Sequence, residues 1–238
     1  MQKGALVYEG KAKQLFLTPD PEVLYVQYKN SATAFNGEKK EEIEGKAQLN
    51  NQITALLFER LKEQGIPSHF IEQLSATEQL VRKVDIIPLE VVVRNIAAGS
   101  LAKRLGFDEG QLLKQPLVEF YYKDDALGDP LLTDAHIALL ELVSESEKQT
   151  LEHLARQINT ALQEIFDSIG VTLVDFKVEF GRTADGEILL ADEISPDTCR
   201  LWDKETKQKL DKDVFRRNLG NLTDGYSIIL SRLGGNSQ

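Results

Sequence analysis

The sequence predicts an α+β fold, and three observations lead to this prediction. Strand-like runs are grouped near the N-terminus, where ALVYEG, KQLFLT and VLYVQYK carry β-branched and aromatic residues typical of sheets. Helical patterns separate groups of strands and do not follow every strand. A long amphipathic stretch lies in the second half, after further strand-like runs such as LEVVVRN. This order favours α+β over a doubly wound α/β fold, in which strands and helices alternate.

Apolar stripes at helical spacing predict where the main helices begin and end. The first stripe covers residues 49–61 and meets a Gly-Ile-Pro stop signal at 65–67. The second helix starts at a capping box formed by Ser144 and Glu147 and ends at Gly170. A third helix is expected at the C-terminus, from about residue 213 to residue 233.

The composition is that of an acidic globular protein. Of the 238 residues, 42% are hydrophobic and 28% are charged, and the net charge is −10. This charge argues against general nucleic-acid binding, so an anionic ligand would need cations gathered at local sites. The histidines, His69, His136 and His153, have no spacing typical of a zinc site.

Several sequence features favour a cytoplasmic protein. No run approaches the roughly 20 apolar residues that a membrane helix needs, and the N-terminus has no apolar signal-peptide core. The sole cysteine, Cys199, rules out an internal disulfide.

The segment LVDFKVEFGRTADGEILLADEIS carries the most chemical information. Its first strand alternates between an apolar and a charged face. The apolar face consists of Val174, Phe176, Val178 and Phe180, and the charged face of Asp175, Lys177 and Glu179.

A hairpin turn then brings a second carboxylate towards this charged face. Asp185-Gly186 favours a two-residue type I′ turn, which would place Glu179 directly opposite Asp192. Two opposed carboxylates need a cation, and carboxylate oxygens suit Mg²⁺, with Lys177 beside them for a bound anion. A solvated outer face is the alternative, and a one-residue bulge would bring Glu193 to this face instead.

Two other segments are candidate anion sites. Gly10, Lys11, Ala12 and Lys13 form a turn between strands, where glycine lets the backbone approach phosphates and the lysines supply charge. The turn has no Walker A pattern, and a solvated basic turn is the simpler interpretation of these four residues alone.

The second candidate follows the strand VVV, which ends in Arg94. Ser100 lies where a helix begins and is predicted to cap it, while Arg94 could bind a carboxylate or phosphate bidentately. A plain helix cap beside an exposed arginine is the alternative. The loop SPDTCRLWD, which includes Asp197 and Arg200, follows the carboxylate strand and could reach across its charged face.

Taken together, these segments resemble the SAICAR synthetase family along nearly the whole chain. The matching motifs are YEGKAK, TAFNGEKK, VVVRNIAAGS, FYYKDDALGDP, LVDFKVEFG, LADEISPDTCRLWDKET and LDKDVFRRNLG. The chain departs from the family pattern IxGKGxLN at Ala47, which casts doubt on a flexible loop there but not on the activity.

The resemblance implies a fold, a reaction and a division of the chain. Residues 1–85 would form an N-terminal antiparallel β-rich lobe that binds the nucleotide, and residues 86–238 a larger α+β lobe that binds substrate and metal. ATP would lie in the cleft, loosely as in kinases and ATP-grasp enzymes. The implied reaction consumes ATP, 5-amino-1-(5-phosphoribosyl)imidazole-4-carboxylate (CAIR) and L-aspartate in purine biosynthesis, with Mg²⁺ as the metal and a homodimer as the assembly.

The resemblance also assigns roles to the candidate residues. The ATP phosphates would be bound by Gly10, Lys11, Ala12 and Lys13; the Mg²⁺–ATP carboxylates would be Glu179 and Asp192; the imidazole nucleotide would be held by Arg94, Ser100, Asp197 and Arg200; and Lys123, Asp175 and Lys177 would be catalytic. Two other functions remain open: a small-molecule kinase of related architecture and a catalytically silent nucleotide-binding protein.

Overall fold

The computed structural model describes residues 2–34 and 39–235, and the motif TAFNGEKK falls partly outside them. The architecture is α+β, as predicted. The first part of the chain contains β1 (Leu6–Glu9), β2 (Lys13–Leu17), β3 (Val23–Tyr28), β4 (Ser31–Ala34), β5 (Lys39–Glu42), α1 (Lys46–Glu63), β6 (Phe70–Gln73) and β7 (Glu78–Arg82). The remainder contains β8 (Asp85–Ile96), α2 (Gly99–Leu105), β9 (Leu112–Tyr122), β10 (Leu131–Leu132), α3 (Asp134–Leu139), α4 (Glu145–Ser168), β11 (Val171–Arg182), β12 (Ile188–Ala191), β13 (Cys199–Asp203), α5 (Asp213–Arg216) and α6 (Leu222–Arg232).

Two antiparallel sheets organise these elements. The smaller sheet has the order β1-β2-β3-β7-β6, and the larger has the order β10-β9-β8-β11-β12, with β13 also paired to β11. β4 and β5 pair separately. The three N-terminal strands predicted from the sequence are confirmed.

Two apolar clusters are buried in the described residues. The smaller one lies on the smaller sheet and contains Val26 of β3 and Val81 of β7. The larger one includes Leu57 of α1, Leu162 of α4 and Phe176 of β11, all nearly inaccessible to solvent. Because the larger cluster joins residues of both ranges, the division into lobes at residues 1–85 and 86–238 stays a prediction. The smaller sheet lies within the first range, and the larger sheet begins at Asp85, the last residue of that range.

Helix signals near the ends of α1 and α4 are confirmed. The Ser144 side chain accepts a hydrogen bond from the Glu147 backbone, the Glu147 side chain accepts one from the Ser144 backbone, and α4 ends just before Gly170. Gly65 follows α1 with φ +78, the left-handed conformation that ends many helices. Within the described ranges, no helix is both long and apolar enough to span a membrane.

The prediction of one continuous C-terminal helix is wrong. The chain forms α5 and α6 instead, separated by residues 217–221. Asn218 has φ +53 and Gly220 has φ +150, and neither angle is compatible with a continuing right-handed helix.

The β11–β12 hairpin has a different register from the predicted one. Glu179 pairs with Ala191, one residue short of Asp192, because the loop contains three residues and not two. Of the Asp185-Gly186 pair, only Gly186 has positive φ, whereas a type I′ turn needs both. The backbone N–H of Gly186 donates to the Thr183 carbonyl at 3.0 Å, which closes this wider loop.

Candidate active site

The charged face of β11 is the centre of the site. Phe176 and Val178 are buried on the apolar face, and Asp175, Lys177 and Glu179 project to the opposite face, as the alternation predicts. Antiparallel pairing adds residues of neighbouring strands to the same face. Directly opposed pairs include Asp175 with Arg94 and Glu179 with Glu90 of β8, and Glu90 with Tyr121 of β9.

Lysines separate the carboxylates on this face. Lys177 Nζ lies 2.6 Å from Glu90 Oε1 and 3.1 Å from Glu179 Oε1, and Lys123 Nζ lies 2.9 Å from the same Glu179 oxygen. The opposed carboxylates of the sequence prediction therefore exist, but Glu179 faces Glu90 and not Asp192.

Asp192 reaches the site by another route. It follows β12 with φ +59, so its side chain is free of the strand alternation. Its Oδ1 lies 2.5 Å from Lys13 Nζ of β2, and Glu193 Oε2 lies 3.9 Å from the same nitrogen. The smaller sheet thus supplies the cation, and the hairpin of the larger sheet supplies two carboxylates.

Charge pairing dominates the protonation states here. Burial alone would lower the pKa of Lys13, but Asp192 and Glu193 outweigh it, and the pKa lies well above its usual value. Burial would raise the pKa of Asp192, yet Lys13 and Lys177 hold it well below its usual range. Glu193 differs, because burial and the charge of Asp192 outweigh Lys13 and raise its pKa to about 7.

The basic turn closes the hairpin between β1 and β2. The Gly10 N–H donates to the Lys13 carbonyl at 2.8 Å, so Lys11 and Ala12 form the tip. Lys11 Nζ reaches across to Asp125 Oδ1 at 2.6 Å, in the short 3-10 helix Asp125–Leu127 after β9. The turn thus contacts the segment that follows β9 of the larger sheet.

A second cluster surrounds Arg94, which is only 3% exposed. Its guanidinium donates to Glu119 at 2.6 Å, Asp175 at 2.9 Å, and Ser100 Oγ and Tyr121 Oη at 3.0 Å each. These bonds occupy four N–H groups, and a guanidinium has five. The bidentate ligand contact predicted for Arg94 would therefore require at least one of these bonds to break.

Ser100 does not cap a helix as predicted. α2 begins at Gly99, the N-cap residue is Ala98, and no side chain makes a capping hydrogen bond. Ser100 instead accepts a hydrogen bond from Arg94, because the start of α2 lies against the charged face.

Arg200 is better placed than Arg94 to meet a ligand. Its Nη1 donates to Asp175 at 2.8 Å and its Nε to Asp213 at 3.0 Å, while Nη2 lies against Gly99. A Cβ atom on Gly99 would lie 2.4 Å from that Nη2, and Gly99 has φ +53, so a larger residue there would displace the Arg200 guanidinium and strain the backbone. The side chain of Arg200 is 18% exposed, compared with 4% for that of Arg94.

Asp197 lies deeper than the sequence suggested. Its Oδ2 is 2.6 Å from Lys46 Nζ and 3.7 Å from Lys212 Nζ, and its Oδ1 accepts a 2.5 Å hydrogen bond from the Tyr226 hydroxyl. Burial would raise the pKa of Asp197, but Lys212 and Lys46 hold it well below its usual range. The contacts seen here anchor the loop, and contact with substrate stays a prediction.

The carboxylates suit a magnesium–nucleotide complex. Burial would lower the pKa of Lys123 and of Lys177, but the charges of Glu179 and Asp192 help to raise both. Glu179 is in direct contact with both lysines. Carboxylate oxygens are hard donors that Mg²⁺ prefers, with phosphate and water completing its shell. No group of three or more His, Cys, Asp or Glu side chains arranged for a metal occurs in the described ranges.

Sequence reasoning missed several residues of the site. Glu90 shares strand parity with Arg94, and Glu119 shares it with Tyr121, so alternation in LEVVVRN and VEFYYK was an available signal. Lys46, at the start of α1, gave no comparable signal. Its contact with the SPD loop is 151 residues away in sequence, from position 46 to position 197.

Comparisons with known proteins agree with this geometry. The SAICAR synthetase family model matches residues 6–233. A phosphoribosylaminoimidazole-succinocarboxamide synthase of Lysinibacillus sphaericus is 69% identical over 235 residues, covering 99% of this chain and all of the relative. The crystal structure of such a synthase from Ehrlichia chaffeensis superposes with a TM-score of 0.95 at 44% identity, covering 98% of this chain and all of that one. A SAICAR synthetase in complex with ADP gives a TM-score of 0.94 at 46% identity, covering 98% and 99% of the two chains. The chain belongs to the SAICAR synthetase family.

Proposed function

We propose that this enzyme is an ATP-dependent carbon–nitrogen ligase that joins the carboxylate of CAIR to the amine of L-aspartate, giving SAICAR, ADP and phosphate in purine biosynthesis. The observation that carries the proposal is the array of Lys13, Lys123 and Lys177 around Asp192 and Glu179, between the two sheets. The family relationship and the ADP complex of a relative support it. Neither favours the small-molecule kinase alternative.

ATP would bind with its phosphates under the β1–β2 turn. Gly10 and Ala12 keep that turn compact, and Lys11 and Lys13 supply charge from its two sides. Glu179 and Asp192 would hold Mg²⁺. When bound, Mg²⁺ offsets negative charge on the transferred phosphoryl group.

The imidazole nucleotide would lie over the guanidinium cluster. Arg200 has N–H groups on its partly exposed side that are available for a phosphate or carboxylate. Arg94 and Asp175 would act mainly by orienting Arg200 and Ser100, through the contacts described above. Asp197 would fix the loop that leads into β13, the strand that carries Arg200.

The chemistry would proceed through an acyl phosphate. A carboxylate oxygen of CAIR forms a bond to the γ-phosphorus while the bond to ADP breaks; the aspartate amine then attacks the acyl carbon, loses a proton and expels phosphate. Lys177 and Lys123 would offset charge on the transferred group, and no protein nucleophile is required. Cys199 is a poor nucleophile, because burial raises the pKa of its thiol.

Substrate omission tests the assignment. ADP release would be measured with ATP, Mg²⁺, CAIR and L-aspartate, and then with each left out. A requirement for all four supports the ligase, full ADP formation without aspartate would indicate a kinase, and no ADP under any condition would indicate a silent binder. With ¹⁸O in the CAIR carboxylate, label should appear in the released phosphate; unlabelled phosphate would refute the acyl phosphate.

Assembly and location complete the proposal. We place the enzyme in the cytoplasm because it has a single cysteine. We expect a homodimer because of the likeness to the family. Analytical ultracentrifugation at micromolar concentration should give twice the 26.7 kDa chain mass, and a monomer mass would refute the dimer.

A further inference from the structure

Lys13 is shared by two carboxylates with different surroundings. Asp192 is the closer partner at 2.5 Å and its side chain is 23% exposed, so a ligand in the cleft can reach it. Glu193 lies 3.9 Å away and its side chain is 5% exposed. Glu193 Oε2 has no hydrogen-bond partner among the described residues, so it can accept a hydrogen bond from Lys13 when Asp192 no longer does.

Lys177 is shared in the same way. Its Nζ lies 3.1 Å from Glu179 and 2.6 Å from Glu90, which opposes Glu179 across the β8–β11 pair. Glu179 also accepts a hydrogen bond from Lys123. Glu90 is thus the nearer of the two carboxylates to Lys177, and the loss of Glu179 would leave that contact in place.

We propose that Glu90 and Glu193 are positioning residues that hold the two lysines when Mg²⁺ engages Glu179 and Asp192. This inference rests on the proposed function, which assigns the metal to that pair. It accounts for both carboxylates, neither of which has a role in the proposed reaction.

The physical reason is competition between a lysine and a metal for one carboxylate. If Glu193 were uncharged, Asp192 would be the only carboxylate within 4 Å of Lys13 among the described residues, so the ammonium would oppose its transfer to Mg²⁺. The same holds for Lys177 and Glu179 if Glu90 were uncharged. The second carboxylates therefore lower the Mg²⁺ concentration that the nucleotide site requires.

The test is calorimetric binding of ADP to the full chain at increasing Mg²⁺, compared with binding in EDTA. We expect Glu90→Gln and Glu193→Gln each to raise the Mg²⁺ midpoint about tenfold, a change of about 1.4 kcal/mol. ADP binding in EDTA should change less than about threefold, because the lysines remain. Glu90→Asp, which keeps the charge, should restore most of the midpoint.

A matched control and a double variant separate positioning from other roles. Glu109 lies between Lys209 at 2.5 Å and Arg217 at 2.8 Å, and among the described residues its ion pairs involve no residue of the site, so Glu109→Gln should give an unchanged midpoint. In a Lys177→Gln background, Glu90→Gln should no longer shift the midpoint. A shift that persists there would mean that Glu90 binds the metal itself, and would overturn the inference.

The remaining outcomes are equally decisive. Midpoints within about twofold of wild type for both Gln variants would overturn the inference and leave the proposed function standing. If the affinity of the wild-type protein for ADP does not depend on the Mg²⁺ concentration, the metal assignment in the proposed function is overturned, and the inference with it. If Glu193→Gln does not fold, the Glu90 variants still decide, because the Glu90 side chain is 16% exposed and a polar amide of the same size is accommodated there.

Discussion

Replacing Asp175 by asparagine removes the carboxylate that joins two arginines. Asp175 Oδ2 accepts from Arg94 at 2.9 Å and from Arg200 at 2.8 Å, and its side chain is 5% exposed. The amide keeps the size of the side chain but removes the charge. Two guanidinium groups would then share the site with one counterion fewer.

The cost follows from the burial of this cluster. Removing one partner of a buried ion pair typically costs about 3 to 5 kcal/mol. Arg94 retains Glu119 and Arg200 retains Asp213, so we expect the lower end, about 3 kcal/mol. For a chain of this size, each kcal/mol lowers Tm by about 2 to 4 °C, which gives a decrease of roughly 6 to 12 °C.

Urea denaturation and scanning calorimetry would measure the loss directly. Asp167→Asn is the control at the surface, because Asp167 pairs with a single cation, Lys204, and the two side chains are 69% and 39% exposed. That control should cost less than about 1 kcal/mol. A loss below about 1 kcal/mol for Asp175→Asn, with an unchanged m-value, would refute the view that this carboxylate holds the arginines together.

Three further predictions follow from particular contacts. Asp192→Asn should lower kcat by about 100-fold or more and weaken the Mg²⁺ dependence of turnover; near-normal kinetics would remove Asp192 from the metal site. Gly99→Ala should raise the KM for CAIR roughly tenfold, because the new Cβ displaces the Arg200 guanidinium. Gly106→Ala is the control for backbone strain, because Gly106 also has positive φ but has open space around it. Equal KM values for the two variants would contradict the prediction. Burial lowers the pKa of His69 to about 4, so the folded state stays neutral where the unfolded chain takes up a proton, and stability falls as pH drops from about 6.5 towards 4. Between pH 7 and pH 5, the free energy of unfolding of His69→Gln should therefore fall by about 2 kcal/mol less than that of wild type. Urea denaturation at both pH values would measure this fall, and the same fall in both proteins would refute the prediction.

Local patterns in the sequence were sufficient for elements that depend on neighbouring residues. The capping box at Ser144 depends on contacts within one turn of helix, and the alternation along β11 on the pleat of one strand. Both features are confirmed in the structure, and both were predictable because they depend on residues close together in sequence. The stop signal at Asn218 and Gly220 was also local, and the continuous helix predicted there overlooked it.

The predicted hairpin register is wrong because side-chain hydrogen bonds of Thr183 stabilise a different loop. Thr183 Oγ1 donates to Asp185 at 2.5 Å and accepts from the Glu187 N–H at 3.0 Å. These bonds stabilise a three-residue loop that an Asp-Gly pair alone does not indicate. One extra loop residue then shifted every pair along β12.

The partners of the site residues depend on long-range pairing. Arg94 and Asp175 are 81 residues apart in sequence, and Lys13 and Asp192 are 179 apart. Their proximity is a consequence of the order of strands in the sheets, which composition and periodicity do not specify. The resemblance to a family predicts which residues bind ligands, but only the three-dimensional structure shows that protein acceptors occupy four of the five Arg94 N–H groups.

Because the single thiol, that of Cys199, is buried, its reactivity reports on local opening of β13 next to the site. Cys199 is 3% exposed, pairs with Phe176 across the β11–β13 ladder and lies one residue before Arg200. An alkylating reagent can therefore reach the thiol only when this strand separates from β11. The labelling rate would measure how often β13, which carries Arg200, separates from β11, and its slowing by bound nucleotide would measure how far ligands suppress that opening.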